Sequence, residues 1–120
     1  MKGFVPAPIR PAVTQEDIER IDIRVGTIEA VDDVPGSDKL ARLTVDLGEI
    51  KRTVLVGMKT ERENPAEVVG RQALFVVNVA PRMMFGIRSE AILFDIGYAD
   101  GLTPVLAVPE RPVPNGARAG

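Results

Sequence analysis

Two guanidinium groups, three large apolar side chains and a serine–glutamate pair crowd into residues 82–90. They are Arg82, Met83, Met84, Phe85, Arg88, Ser89 and Glu90. An arginine fork can meet a phosphate or a carboxylate through two parallel hydrogen bonds. Thioethers and a ring beside it offer adaptable apolar contact to an unstacked base or an unfolded polypeptide. The same three apolar residues could instead plug one end of a core. Glu90 opens an apolar stretch and needs a partner, which Ser89 or an arginine could supply. Nucleophilic catalysis from Ser89 with Glu90 would need an activating base. The chain contains no histidine and no cysteine, so that base is missing. The same absence removes disulfides and every thiolate or imidazole metal site. No enzyme activity, metal or cofactor is expected.

Further cations precede this stretch. Lys39, Arg42, Lys51 and Arg52 fall within a segment, Ser37 to Arg62, whose local charge is +2. The preceding segment, Thr14 to Val34, carries a local charge of −5, although the whole chain is only at −2. A molecule polarised in this way can hold a phosphate backbone on one face despite its slightly negative total. An ordinary solvated surface of mixed charge fits the same numbers. Asn78 has both donors and an acceptor for a base edge or a ribose hydroxyl, or for its own turn.

These residues need strands to hold them. Ala41, Leu43, Val45 and Leu47 alternate with Arg42, Thr44 and Asp46, and Gly48-Glu49 turns the chain into Lys51–Val56 as a hairpin. Arg42, and Lys51 or Arg52, would project outward. Before them, Ile21, Ile23 and Val25 alternate with Asp22 and Arg24, and the phase slips at Gly26-Thr27, where a bulge is expected. Thr14 with Asp17 three residues on resembles a capping box and starts a short helix. Asn64-Pro65 starts a second, stopped by Gly70 and too short to persist unless it plugs the core. A fourth strand begins at Arg71 and a fifth from Ser89 onward, joined through the 82–90 loop. Phe75 and Phe94 sit in core-like runs. Prolines punctuate both ends of the chain. The order is that of an all-β, five-stranded OB-fold barrel with short helices and proline-rich terminal extensions.

Several segments then carry a family resemblance in the right order. Asp22-Ile-Arg-Val25, Gly36-Ser-Asp-Lys-Leu40, Leu43-Thr-Val-Asp-Leu-Gly48, Lys51-Arg-Thr-Val54, Asn78-Val-Ala-Pro-Arg82 and Phe85-Gly-Ile through Ser89-Glu90 resemble the tRNA-binding domain family. That domain is appended to methionyl-tRNA synthetases and also occurs as free-standing dimers. The tail Val108–Gly116 and the length look most like the CsaA branch, described as secretion-related chaperones. The serine motif continues as Ser89-Glu-Ala-Ile-Leu-Phe94, closer to that branch than to members in which glycine and methionine follow.

The resemblance implies one domain over residues 1–120, with an extension and helix at 1–20, the barrel at 21–108 and a tail at 109–120. It implies binding of tRNA or tRNA-like RNA through Lys39, Arg42, Lys51, Arg52, Asn78, Arg82, Arg88, Ser89 and Glu90. The alternative is binding of unfolded or exported polypeptides at Met83, Met84 and Phe85. A homodimer is expected, because Phe4, Val5, Ile9, Val13 and Val113 give the ends more apolar surface than disordered tails need. A tail wrapped on its own barrel is the other outcome. No run is long enough to span a bilayer and the start lacks a signal peptide's apolar centre, so a cytoplasmic protein is expected.

Overall fold

The computed structural model describes residues 3–120. Thr14 and Asp17 cap one another at the start of α1 (Gln15–Glu19), Asp17 N donating to the Thr14 hydroxyl and Thr14 N to the Asp17 carboxylate. Four long strands follow: β1 (Ile23–Asp33), β2 (Ala41–Asp46), β3 (Lys51–Val56) and β4 (Gln72–Val76). The remaining strands are short: β5 (Arg82–Met84), β6 (Ile87–Ser89), β7 (Ile92–Leu93), β8 (Asp95–Ile96), β9 (Val105–Leu106) and β10 (Arg118–Ala119). The main sheet runs β3-β2-β1-β4-β7, antiparallel throughout, and curls into a nearly closed five-stranded barrel. Strand β1 is shared by both halves. Its first part pairs with β4 and its second with β2.

The bulge that permits this bend lies at Glu29, where the register with β2 slips between Ile28 and Ala30. That corrects the expectation of a bulge at Gly26, which stays in register opposite Ala73. Gly26 is needed for a different reason. A Cβ there would fall 2.6 Å from Val45 Cγ1 and 2.8 Å from Leu47 Cδ2, so the backbone itself packs across the interior.

Period-2 alternation decides the core. Ala41, Leu43 and Val45 are buried, and Ile28, Val54 and Phe75 join them. Phe94 does not. Strand β7 turns Leu93 inward, which leaves Ile92 and Phe94 on the outside. The expected second helix is a single 3-10 turn, Pro65–Val68, without a side-chain cap from Asn64. It forms because it is a plug: Val68 is fully buried, and Gly70 N donates to Ile28 O at 2.7 Å. Within residues 82–90, expected as a loop, Arg82–Ser89 form a β-hairpin ribbon. Its turn places Phe85 and Gly86 at φ 52° and 77°, both left-handed, as a two-residue primed turn requires.

The chain's last strand closes back onto its first. Ile23 and Arg24 pair with Ala119 and Arg118. The Asp22 carboxylate receives two hydrogen bonds from Arg24 (3.0 and 3.1 Å) and two from Arg118 (3.2 and 3.3 Å). Gln72 and Asn115 add further ties, Gln72 exchanging hydrogen bonds with the Val113 backbone. Arg24 first, and then Arg118, hold the Asp22 carboxyl below the ordinary carboxylate range against the opposing effect of burial.

Two predictions follow from packing and charge. Gly26→Ala inserts a methyl where none fits and lowers stability by about 1–3 kcal/mol, read as a lower urea midpoint at unchanged slope. Asp22→Asn removes a group whose native pKa is depressed, and such a group stabilises only where it is ionised. The gap in melting temperature between wild type and Asp22→Asn is therefore full near neutrality and closes as pH falls below about 4.

Candidate nucleic-acid interface

The ribbon β5–β6 owes its position to the way the barrel closes. Strand β3 has no complete strand partner on its outer edge, and side chains take that place. Ser89 Oγ accepts from Leu55 N at 3.1 Å and Glu90 Oε1 accepts from Thr53 N at 3.0 Å. Glu90 N donates to Thr53 O at 2.8 Å. Arg52 Nη1 donates to the carbonyls of Glu90 (3.0 Å) and Val77 (3.3 Å). Three residues expected at the RNA face therefore close the barrel edge. Arg52 can do so because it stands opposite Val45, on the inner side of β3, whereas Lys51 opposite Asp46 points out. Asn78 also turns inward to the frame. Its Oδ1 accepts from Asp22 N at 2.8 Å and its Nδ2 donates to Arg20 O at 2.6 Å.

Register sorts the ribbon's side chains onto two faces. Arg82 opposite Ser89 and Met84 opposite Ile87 share one face; Met83 opposite Arg88 shares the other. Each face thus joins one guanidinium to one thioether. Met83 is 67% exposed and Phe85 58%, while Met84 is half-buried over the barrel. The Phe85 ring lies against Gly36, where a Cβ would stand 3.5 Å from its Cδ1. Ribbon tip and β1–β2 loop are therefore neighbours. Ser37 shapes that loop, its hydroxyl accepting from Lys39 N and Leu40 N. Lys59 Nζ donates to Ser37 O and pairs with Asp33, whose carboxyl this partner holds below its ordinary range.

The remaining cations differ in how free they are. Among the described residues no acid lies within ion-pair distance of Lys39, Arg82 or Arg88. Arg42, on the outer face of β2, reaches Asp32 only at 4.0 Å. Lys51 is bound to Glu29 at 3.0 Å, which raises its pKa. It also sits four residues along the hairpin from the Arg42 level, about 13 Å away. The structure thus sets Phe85 at the ribbon tip against Gly36 of the loop that carries Lys39, and sets Lys51 apart.

The apolar terminal residues are placed as follows. Phe4, Val5, Ile9 and Val13 are exposed on an extended arm, Ile9 at 99%, which Ala7 N ties to Asp100 Oδ1 at 2.9 Å. Val113 is half-buried on its own barrel beside Gln72. No helix among the described residues is long and apolar enough to cross a membrane.

The order of these features is that of a known family. The family described as "Putative tRNA binding domain" matches residues 23–118. The chain belongs to the tRNA-binding domain family. Binding of tRNA or other RNA is the function this membership carries. Among solved structures, the chain is similar to a MetRS-related protein from Pyrococcus horikoshii, at 25% identity and TM-score 0.84, over 92% of this chain and all of that one. It is also similar to the chaperone CsaA from Bacillus anthracis str. Ames, at 28% identity and TM-score 0.78, over 92% and 100%. The C-terminal domain of Plasmodium vivax p43 matches at 27% identity and TM-score 0.76, over 85% of this chain and 61% of that one.

Sequence reasoning missed Asp22, Arg118, Gln72 and Asn115 as the clasp of the frame, since each looks like a solvated polar residue in its own segment. It also missed Glu61, Asp95 and Tyr98, which line a groove beneath the ribbon. A phenylalanine in a left-handed turn costs backbone energy that asparagine avoids. Phe85→Asn is expected to stabilise the fold by about 0.5–1 kcal/mol in thermal melts. The same change removes an exposed ring from the rim and weakens RNA binding about fivefold or more. A rise in stability together with a loss of binding would identify the strain as functional.

Proposed function

We propose that this protein is a noncatalytic binder of tRNA or tRNA-like RNA whose contact surface is the β5–β6 ribbon together with the β1–β2 loop. Lys39, Arg42, Arg82 and Arg88 meet phosphates, with Lys51 acting from farther along the face. Met83 and Phe85 contact bases or sugars between them. Ser89, Glu90, Arg52 and Asn78 position this surface by holding the ribbon and the barrel end in place. One observation carries the reading: cations without acid partners stand beside exposed apolar side chains on one rigidly anchored ribbon. Charge-only surfaces bind any anion, and apolar-only surfaces bind any hydrophobe. The combination suits a nucleic acid.

The working unit in this proposal is a cytoplasmic homodimer. The arm Phe4–Val13 leaves large apolar side chains in water, and a two-fold mate would cover them and double the binding face. A second reading, a holdase for extended polypeptides, is favoured by the exposure of Met83 and Phe85 and by the similarity to a chaperone CsaA. Salt separates the two. With about four phosphate contacts, affinity for total tRNA drops roughly 100-fold between 50 and 200 mM salt. Arg82→Ala and Arg88→Ala each lower the salt slope by about one. Gel-shift titrations at the two ionic strengths measure both. Absence of any shift at 50 mM, with salt-insensitive capture of an unfolded client, would favour the holdase.

A further inference from the structure

Beneath the Arg82–Met84 face of the ribbon runs a groove of about 430 Å³, bounded on its far side by β7 and β8. That is the size of a small-ligand cleft. Its floor is apolar, made by Leu55, Ala91 and Leu93, and Met84 forms one wall. Tyr98, 74% exposed, stands at the rim with its ring free to cover a flat ligand. Two carboxyl groups also line it, Glu61 after the 3-10 turn Met58–Thr60 and Asp95 on β8. Neither accepts a side-chain hydrogen bond or ion pair from the described residues. Burial pushes both carboxyls above their ordinary range, and the Asp95 charge pushes Glu61 further. The one cation opposing this at Glu61 is Arg62, whose guanidinium is already bonded to Glu67.

The groove therefore holds acceptors without donors and, in Arg82, a donor without an acceptor. These opposite charges do not neutralise one another there. We propose that this groove receives a single unstacked nucleobase presenting two adjacent hydrogen-bond donors, guanine above all, with its phosphate on Arg82. The inference rests on the RNA-binding reading and assigns that site its base preference. Guanine offers N1–H and N2–H side by side, matched to the two oxygens of one carboxylate. Adenine and cytosine offer one amine beside a ring acceptor. Uracil presents a single N–H flanked by two carbonyls, which would face the carboxylates and be repelled. A basic peptide side chain would satisfy the carboxylates but meet Arg82 with like charge, and an acidic one the reverse. A nucleotide satisfies both ends.

Methionine-methyl NMR on the full chain tests this, because Met84 lines the groove and Met83 lies on the ribbon's other face. GMP is expected to move the Met84 methyl and leave the Met83 methyl in place. UMP should bind about tenfold more weakly or worse, the range set by one bidentate base contact. Glu61→Gln combined with Asp95→Asn should abolish that preference while leaving the salt slope for tRNA unchanged. An unaltered methyl spectrum of the free variant checks its fold. Equal affinity for GMP and UMP, movement of Met83 alone, or a lysine-bearing peptide outcompeting GMP at Met84 would each overturn the proposal. If GMP is selected at Met84 but tRNA fails to bind at any salt, the groove stands and the RNA-binding surface does not.

Discussion

An open edge of β3 is the constraint around which this structure is arranged. A strand edge buried beside a core cannot leave its N–H groups bare. Here two consecutive side chains do the work of a strand: Ser89 takes the Leu55 N–H and Glu90 takes the Thr53 N–H. Because the same residues end the ribbon, closing the barrel and aiming the ribbon are one event. Arg82 lies directly opposite Ser89 and so inherits a fixed position from it. The rim is rigid at its base and strained at its tip, where Phe85 occupies a left-handed turn.

Charge is partitioned to match. The acids of the first third of the chain are largely spent on structure: Asp22 on Arg24 and Arg118, Glu29 on Lys51, Asp33 on Lys59. What remains without an acid partner among the described residues includes the ribbon arginines and Lys39. A total of −2 conceals this, because the acids nearest the frame are matched where they sit while the ribbon's cations are not. Glu61 and Asp95 line the groove below the ribbon without an ion-pair partner among the described residues, which gives that groove a chemistry distinct from the rim.

Alternation made the barrel legible. Ala41-Leu43-Val45 with its polar partners, the Thr14–Asp17 cap and the Asn64-Pro65 start all express local preferences that the fold keeps. The ribbon was illegible for the opposite reason. Phe-Gly is a poor primed turn, and only the anchorage at Ser89 and Glu90 makes it form. Arg52 read as one more outward cation, since the pleat that turns it in depends on its register against Val45. Asn78 and Ser89 were singled out for their polar groups, yet those groups act on backbone more than 30 residues away. Gly26 drew attention for its type, but the reason lay in tertiary contact with Val45 and Leu47 rather than in a bulge.

The pairing of Arg24 with Arg118 has a kinetic side. A contact between residues 94 positions apart pays the full entropy of a long closed loop before it returns anything. High contact order of this kind slows folding relative to locally wired domains. On the ribosome, the β1–β2–β3 meander can assemble as soon as it emerges and β4 then covers the other flank of β1, but the Ile23–Val25 stretch beyond the reach of β2 stays open until residues 116–119 arrive. Synthesis thus passes through a species with an unpaired strand edge, and the Asp22 clasp is the last latch to shut.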